Sequence, residues 1–114
     1  VLDVEERGKL SAKELRNRVS QWLKMVEKST GKKPIIYAGA TFYHTNLADH
    51  FNEYPWWVAH YYQRRPDNDG MAWRFWQHSD RGQVDGINGP VDFNVFNGTE
   101  EELQGFVDGI KETP

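Results

Sequence analysis

The first 38 residues constrain the fold more than any other stretch, because they switch between two hydrophobic periods and back. In Val1-Leu2-Asp3-Val4-Glu5, apolar and acidic residues alternate near the strand period of two. From residue 11 the period becomes helical: Leu15, Val19, Trp22, Leu23 and Val26 fall on one apolar stripe. Ser11 is placed as the N-cap, with Glu14 three positions on, and Gly31 can take the left-handed position that ends the helix. Pro34-Ile35-Ile36-Tyr37-Ala38 then reads as a buried strand opened by its proline. Strand, helix and strand in that order require a parallel pair joined by a right-handed crossover. The fold class is therefore α/β.

The second half reads differently. A short helix is expected over residues 45–51, strands over 56–62, 73–78 and 91–95, and a last helix after Thr99, its N-cap, with Glu102 at N3. That helix would present Leu103, Phe106, Val107 and Ile110 on one face. The links at 63–72 and 79–90 are rich in Gly, Pro, Asp and Asn and too short for an ordinary crossover helix. A regularly alternating barrel is excluded for this half. No repeat, linker or low-complexity tract divides the chain, so its 114 residues form at most one domain.

Composition narrows the partners. A net charge of -3 and a pI of about 5.8 suit neither nucleic acid nor an anionic membrane. Without cysteine there is no disulfide framework, and no apolar run reaches the roughly 18–20 residues of a membrane span. The chain starts at Val1, within an expected strand and without methionine, so the expectation is a segment cut from something larger. Aromatic residues reach 14%, five of them Trp, and in an acidic domain such rings favour stacking on sugars over bases.

Strand alternation also selects the chemistry. Asp3 and Glu5 project from one face, their Cα atoms roughly 6.6 Å apart at twice the strand rise. Carboxylates that close repel, and one can be held protonated near neutral pH. A protonated acid beside an ionised carboxylate is what glycosidic cleavage requires. If the apolar strand faces pack under the two long helices, the opposite faces bring Asp3, Glu5, Tyr37, Tyr61, Asp92 and Asn94 together. Trp57 and Trp76 lean to packing roles, with Trp57 retained as a candidate substrate contact. The four histidines, His44, His50, His60 and His78, lack metal-site spacing, and His60 and His78 should point away from the acids. No metal or cofactor is expected. Arg64 and Arg65 read by default as surface charge, and Lys9, Lys13, Arg16 and Arg18 as the solvated face of the first helix.

Five segments in order resemble glycoside hydrolase family 25, the Chalaropsis-type lysozymes. Leu2-Asp3-Val4-Glu5 resembles the family's D-x-E strand, and the stretch GKKPIIY from Gly31 to Tyr37 its next strand. Trp57-Val58-Ala59-His60-Tyr61 resembles the W-[IV]-A-x-Y strand. Trp76-Gln77-His78-Ser79, with Gly86-Ile87 after it, resembles the WQ-[YH]-S segment. Residues 91–98 resemble the closing VD-x-N-x-F-x-G signature. The resemblance covers the second half of the family's catalytic domain. It implies a partial TIM-like β/α barrel, here about five strands and two long helices, with its last three strands joined by loops. It implies cleavage of the β-1,4 bond between N-acetylmuramic acid and N-acetylglucosamine in the glycan strand of peptidoglycan. Glu5 would be the general acid/base, Asp3 its carboxylate neighbour and Asp92 a further acid, with Tyr37, Tyr61, Asn94 and Trp57 lining the groove. The whole enzyme is expected to be secreted or to act at the cell wall. The family also uses a first-strand aspartate that no segment of this chain matches, so the 114 residues alone are expected to be weakly active or inactive and prone to self-association. A non-catalytic glycan-binding module and an inactive fragment are the competing readings.

Overall fold

The computed structural model describes residues 1–66 and 71–109. Five strands form one mixed sheet in chain order: β1 (Leu2–Asp3), β2 (Ile36–Gly39), β3 (Trp56–Ala59), β4 (Trp73–Gly82) and β5 (Val91–Phe96). The first four run parallel, and β5 returns antiparallel to β4. The sheet is open, with β1 and β5 at its two edges. Among the described residues of the 60–72 and 83–90 connections there is no helix.

Helix α1 (Ala12–Thr30) connects β1 to β2 and is bounded as its sequence requires. The Ser11 hydroxyl accepts the Glu14 amide at 3.1 Å, and Gly31 at φ 73° lets its own amide close on the Glu27 carbonyl. Leu15, Val19 and Leu23 are buried, Leu23 with no exposed surface. They meet Val4, Ile36, Ala38, Trp56 and Val58 from the outer face of the sheet. Each buried aliphatic side chain contributes about 1.5–3 kcal/mol. Arg16 departs from the expected solvated face: its guanidinium donates to the Asn46 carbonyl at 2.9 Å, tying α1 to the turn after β2.

That turn is a second departure. Helix begins at Ala40, as α2 (Ala40–Phe42), and runs straight into a π-helical turn, Tyr43–Leu47, rather than occupying 45–51. Tyr43 and Leu47 are buried in the core. The last helix, α3 (Glu100–Val107), has the expected capping box: Thr99 and Glu102 bond each other's backbone amides at 3.1 and 3.2 Å. It is short, however, and it does not lie under the outer face. Phe106 packs on Phe75 and Phe96, ring centroids 5.6 and 6.1 Å away, and both rings belong to the inner face. Val107 is 63% exposed, and Ile110 lies outside the described residues. Among the described residues one long helix covers the sheet, not two.

Candidate active site

Parallel register fixes which side chains share the inner face. Leu2, Ile36 and Trp56 stand level and point to the core, so Asp3, Tyr37 and Trp57, one position on, point the other way together. Across the antiparallel pair, Phe75 stands opposite Phe96 and Gln77 opposite Asn94, which puts Asp92 and Asn94 on the same face. β3 ends at Ala59, short of the expected residue 62, yet its backbone continues to bond β4. The amides of His60 and Tyr62 donate to the carbonyls of Gln77 and His78 at 3.1 and 3.0 Å. That continuation delivers Tyr61 to the inner face at the strand's C-terminal end.

A buried amide joins the groups. Gln77 is 6% exposed; its Oε1 accepts the hydroxyls of Tyr37 at 2.5 Å and Tyr61 at 2.9 Å, and its Nε2 donates to Asp92 Oδ2 at 2.8 Å. Trp57 stacks edge-on against Tyr37, centroids 5.5 Å apart, and donates its indole N–H to Asn94 Oδ1 at 2.8 Å. Trp57 thus lies on the inner face, whereas Trp76 packs against the core and donates to the His60 carbonyl at 2.8 Å. Gln77 stands inside the WQ-[YH]-S segment but is not among the site residues that strand alternation selects. The signal available was its period-two offset from Phe75, which places a polar group on a face otherwise read as aromatic.

Electrostatics tie the amino-terminal acids to the same cluster. The Glu5 carboxyl is held above the usual carboxylate range, first by the charge of Asp3, then by burial, a hydrogen bond with the Asp3 side chain, and Glu6. Burial pushes the Tyr37 hydroxyl well above its ordinary value, with Tyr61, Glu5 and Asp3 adding to the effect. Tyr61 is raised mainly by burial, with Asp80, Asp92 and Glu5 contributing and its bond with Tyr37 opposing. Tyr37, Tyr61 and Asp92 meet at Gln77, Trp57 links Tyr37 to Asn94, and Asp3 and Glu5 lie near enough to act electrostatically on the tyrosines. The face therefore offers a carboxyl that keeps its proton to higher pH, a second carboxylate beside it, and a third acid oriented by an amide.

His78 packs on Trp76 and Phe93, on the outer side. Among the described residues no three His, Cys, Asp or Glu side chains gather as a metal site, and no helix is long and apolar enough to cross a membrane.

The family model for glycosyl hydrolases family 25 matches residues 1–87, so Asp92 and Asn94 fall beyond the matched stretch. The chain is 94% identical to the protein YegX of Escherichia coli K12 over all 114 residues, which make up 42% of that protein. It is 30% identical to lysozyme M1 of Streptomyces globisporus, over 90% of this chain and 39% of that one. Among solved structures, the bacterial lysozyme of Streptomyces coelicolor superposes with a TM-score of 0.77 at 30% identity, covering 92% of this chain and 54% of its own. The chain thus spans about two fifths of these curated relatives and about half of that structure.

Proposed function

The chain belongs to glycosyl hydrolases family 25, and from that membership we propose that it forms part of the catalytic domain of a peptidoglycan hydrolase. The bond cleaved is the β-1,4 linkage between N-acetylmuramic acid and N-acetylglucosamine. The open five-stranded sheet is read as the carboxy-terminal half of a TIM-like barrel, with residues 1–114 as one unit of it. In the competing reading the same face binds glycan without cutting it.

One observation supports hydrolysis over binding alone. Glu5 sits beside Asp3, whose charge is the largest cause of its raised proton affinity. A binding surface gains nothing from two adjacent acids that repel, whereas bond cleavage uses them. Glu5 protonates the leaving glycosidic oxygen as the C–O bond breaks, and then takes a proton from the incoming water. Asp3 supplies negative charge near the developing oxocarbenium carbon, or orients the substrate acetamido group as the internal nucleophile. Asp92, its Oδ2 fixed by Gln77, serves as the further acid. Tyr37, Tyr61, Trp57 and Asn94 line the groove, the aromatic rings offering faces for sugars.

The test is Glu5→Gln in a protein of the relatives' full length. Loss of cell-wall hydrolysis by at least about a hundredfold, with sedimentation on peptidoglycan unchanged, is the expected result. Turnover that survived the substitution would remove Glu5 as the acid. Absence of turnover in the unsubstituted protein, with binding intact, would favour the glycan-binding reading.

A further inference from the structure

Two residues before Asp92, where the β4–β5 loop ends at Pro90, lies one wall of a cavity of about 500 Å³. β4 ends at Gly82 and β5 begins at Val91, so the connecting loop sits at the C-terminal ends of the parallel strands, and Asp92 is the second residue of β5. The cavity is lined by that loop and by Arg81, with Val84, Asp85, Ile87 and Pro90 among its walls. Its size lies within the range of small-molecule sites, roughly 300–1,000 Å³.

The cation of this cavity is braced. The Arg81 guanidinium lies over the Tyr62 ring, 4.6 Å from its centroid, and its Nε stands 3.9 Å from Asp80. The Tyr62 hydroxyl donates to the same Asp80 carboxylate. Tyr62 holds φ at 59°, a left-handed conformation that bulky residues rarely adopt, immediately after Tyr61 of the acid cluster. Asp80 thus braces ring and guanidinium together, while the Arg81 side chain stays 78% exposed. A planar guanidinium held flat by a ring presents its outer edge to a carboxylate as a two-pronged donor. Val84 and Ile87 are exposed apolar walls of the same cavity. A polyphosphate chain has no aliphatic groups for such walls, and a bare disaccharide brings only acetamido and lactyl methyls, whereas a short peptide ending in carboxylates brings longer aliphatic side chains and the anion together.

We propose that Arg81, stacked on Tyr62, and the loop of residues 83–90 form a recognition site for the carboxylate-bearing peptide branch of the polymer. The inference rests on the reading of the chain as part of a peptidoglycan hydrolase and adds a specificity element to it. Glycan cleavage by the acids and peptide recognition at the rim are separate events at neighbouring places.

The experiment compares Arg81→Gln and Arg81→Lys with the unsubstituted protein at the relatives' full length. The substrates are glycan strands carrying tetrapeptide stems and the same strands stripped of them. Calorimetric binding of a free disaccharide-tetrapeptide and of the bare disaccharide supplies a readout independent of turnover. Arg81→Gln should raise KM for stem-bearing strands about three- to tenfold, the size of one solvent-exposed hydrogen bond, leave kcat unchanged and leave stripped strands unaffected. Binding of the disaccharide-tetrapeptide should weaken by the same factor, with partial recovery in Arg81→Lys. Equal losses on both substrates would mean that Arg81 props the fold or meets the lactyl carboxylate that stripped strands keep, and no loss on either would mean that it meets no substrate; each of these overturns the proposal. If the unsubstituted protein cleaves neither substrate, the hydrolase reading fails. The binding arm then decides alone: tetrapeptide-dependent binding weakened by Arg81→Gln upholds the site, and binding indifferent to the peptide overturns it.

Discussion

Gln77 has one acceptor oxygen and one donor nitrogen, and the Asp92 carboxylate fixes which points where. Reversed, the amide would set Oε1 against a carboxylate oxygen; as placed, Nε2 donates to Asp92 and Oε1 is left to both tyrosine hydroxyls. Tyr37 and Tyr61 are both turned inward to this one oxygen, which holds the two hydroxyls side by side. The neighbouring acid pair makes its own prediction. A general acid works protonated, so activity falls as pH rises through its pKa. Glu5 is raised chiefly by Asp3. Asp3→Asn should therefore lower the Glu5 pKa toward the ordinary carboxylate value and move the alkaline limb of kcat/KM to lower pH. A carbon-detected titration of the Glu5 carboxyl checks the first part, and a pH–rate profile the second. A titration midpoint unmoved by the substitution would remove Asp3 as the cause. The acids are legible in sequence because period-two alternation sets their face; β1 itself spans only Leu2–Asp3, and the Val4 amide carries the pairing onward to the Tyr37 carbonyl at 2.9 Å, short of Glu5. Gln77 is not legible in this way, because an amide declares its role only through three partners brought from other strands.

At the scale of elements, α1 and α3 were equally legible as helices and unequally legible as parts of the fold. A stripe of apolar residues tells which side of a helix is covered, not what covers it. For α1 the crossover between neighbouring parallel strands leaves one answer, the outer face. For α3 nothing local chose between faces, and the Phe106 contact with Phe75 and Phe96 puts it against the inner one. The turn after β2 departs from the expected 45–51 helix for another reason: a π turn at Tyr43–Leu47 spaces its buried residues away from the 3.6-residue repeat. These differences in attachment should be measurable. Leu23→Ala empties a position with no exposed surface and should lower global stability by about 2–5 kcal/mol. Phe106→Ala removes a half-buried ring and should cost less, about 1–3 kcal/mol. Hydrogen exchange should accelerate across α3 in Phe106→Ala while α1 amides keep their protection. Equal acceleration in both helices would contradict the separate docking of α3.

For the whole molecule the governing fact is that the sheet does not close. Among the described residues β1 bonds only β2 and β5 only β4, so each edge presents a row of backbone donors and acceptors. β5 also turns Phe93 and Val95 outward, Val95 40% exposed, with no described helix over them. Closure depends on total strand number and stagger, which no single segment encodes, so the order of strands could be read from the sequence while a barrel could not. A two-residue edge strand such as β1 is a weak template for pairing, but the six residues of β5 are long enough to recruit a partner. The 114-residue chain by itself should therefore associate through β5, with apparent mass rising with concentration in light-scattering chromatography. Replacing outward-facing Val95 with Lys should reduce that association, because a charge on an edge opposes strand addition and the inner-face contacts of Asn94 are left in place. A monodisperse monomer with a sharp thermal transition would mean that the edge is already protected, and the half-barrel reading would then lose its main physical consequence.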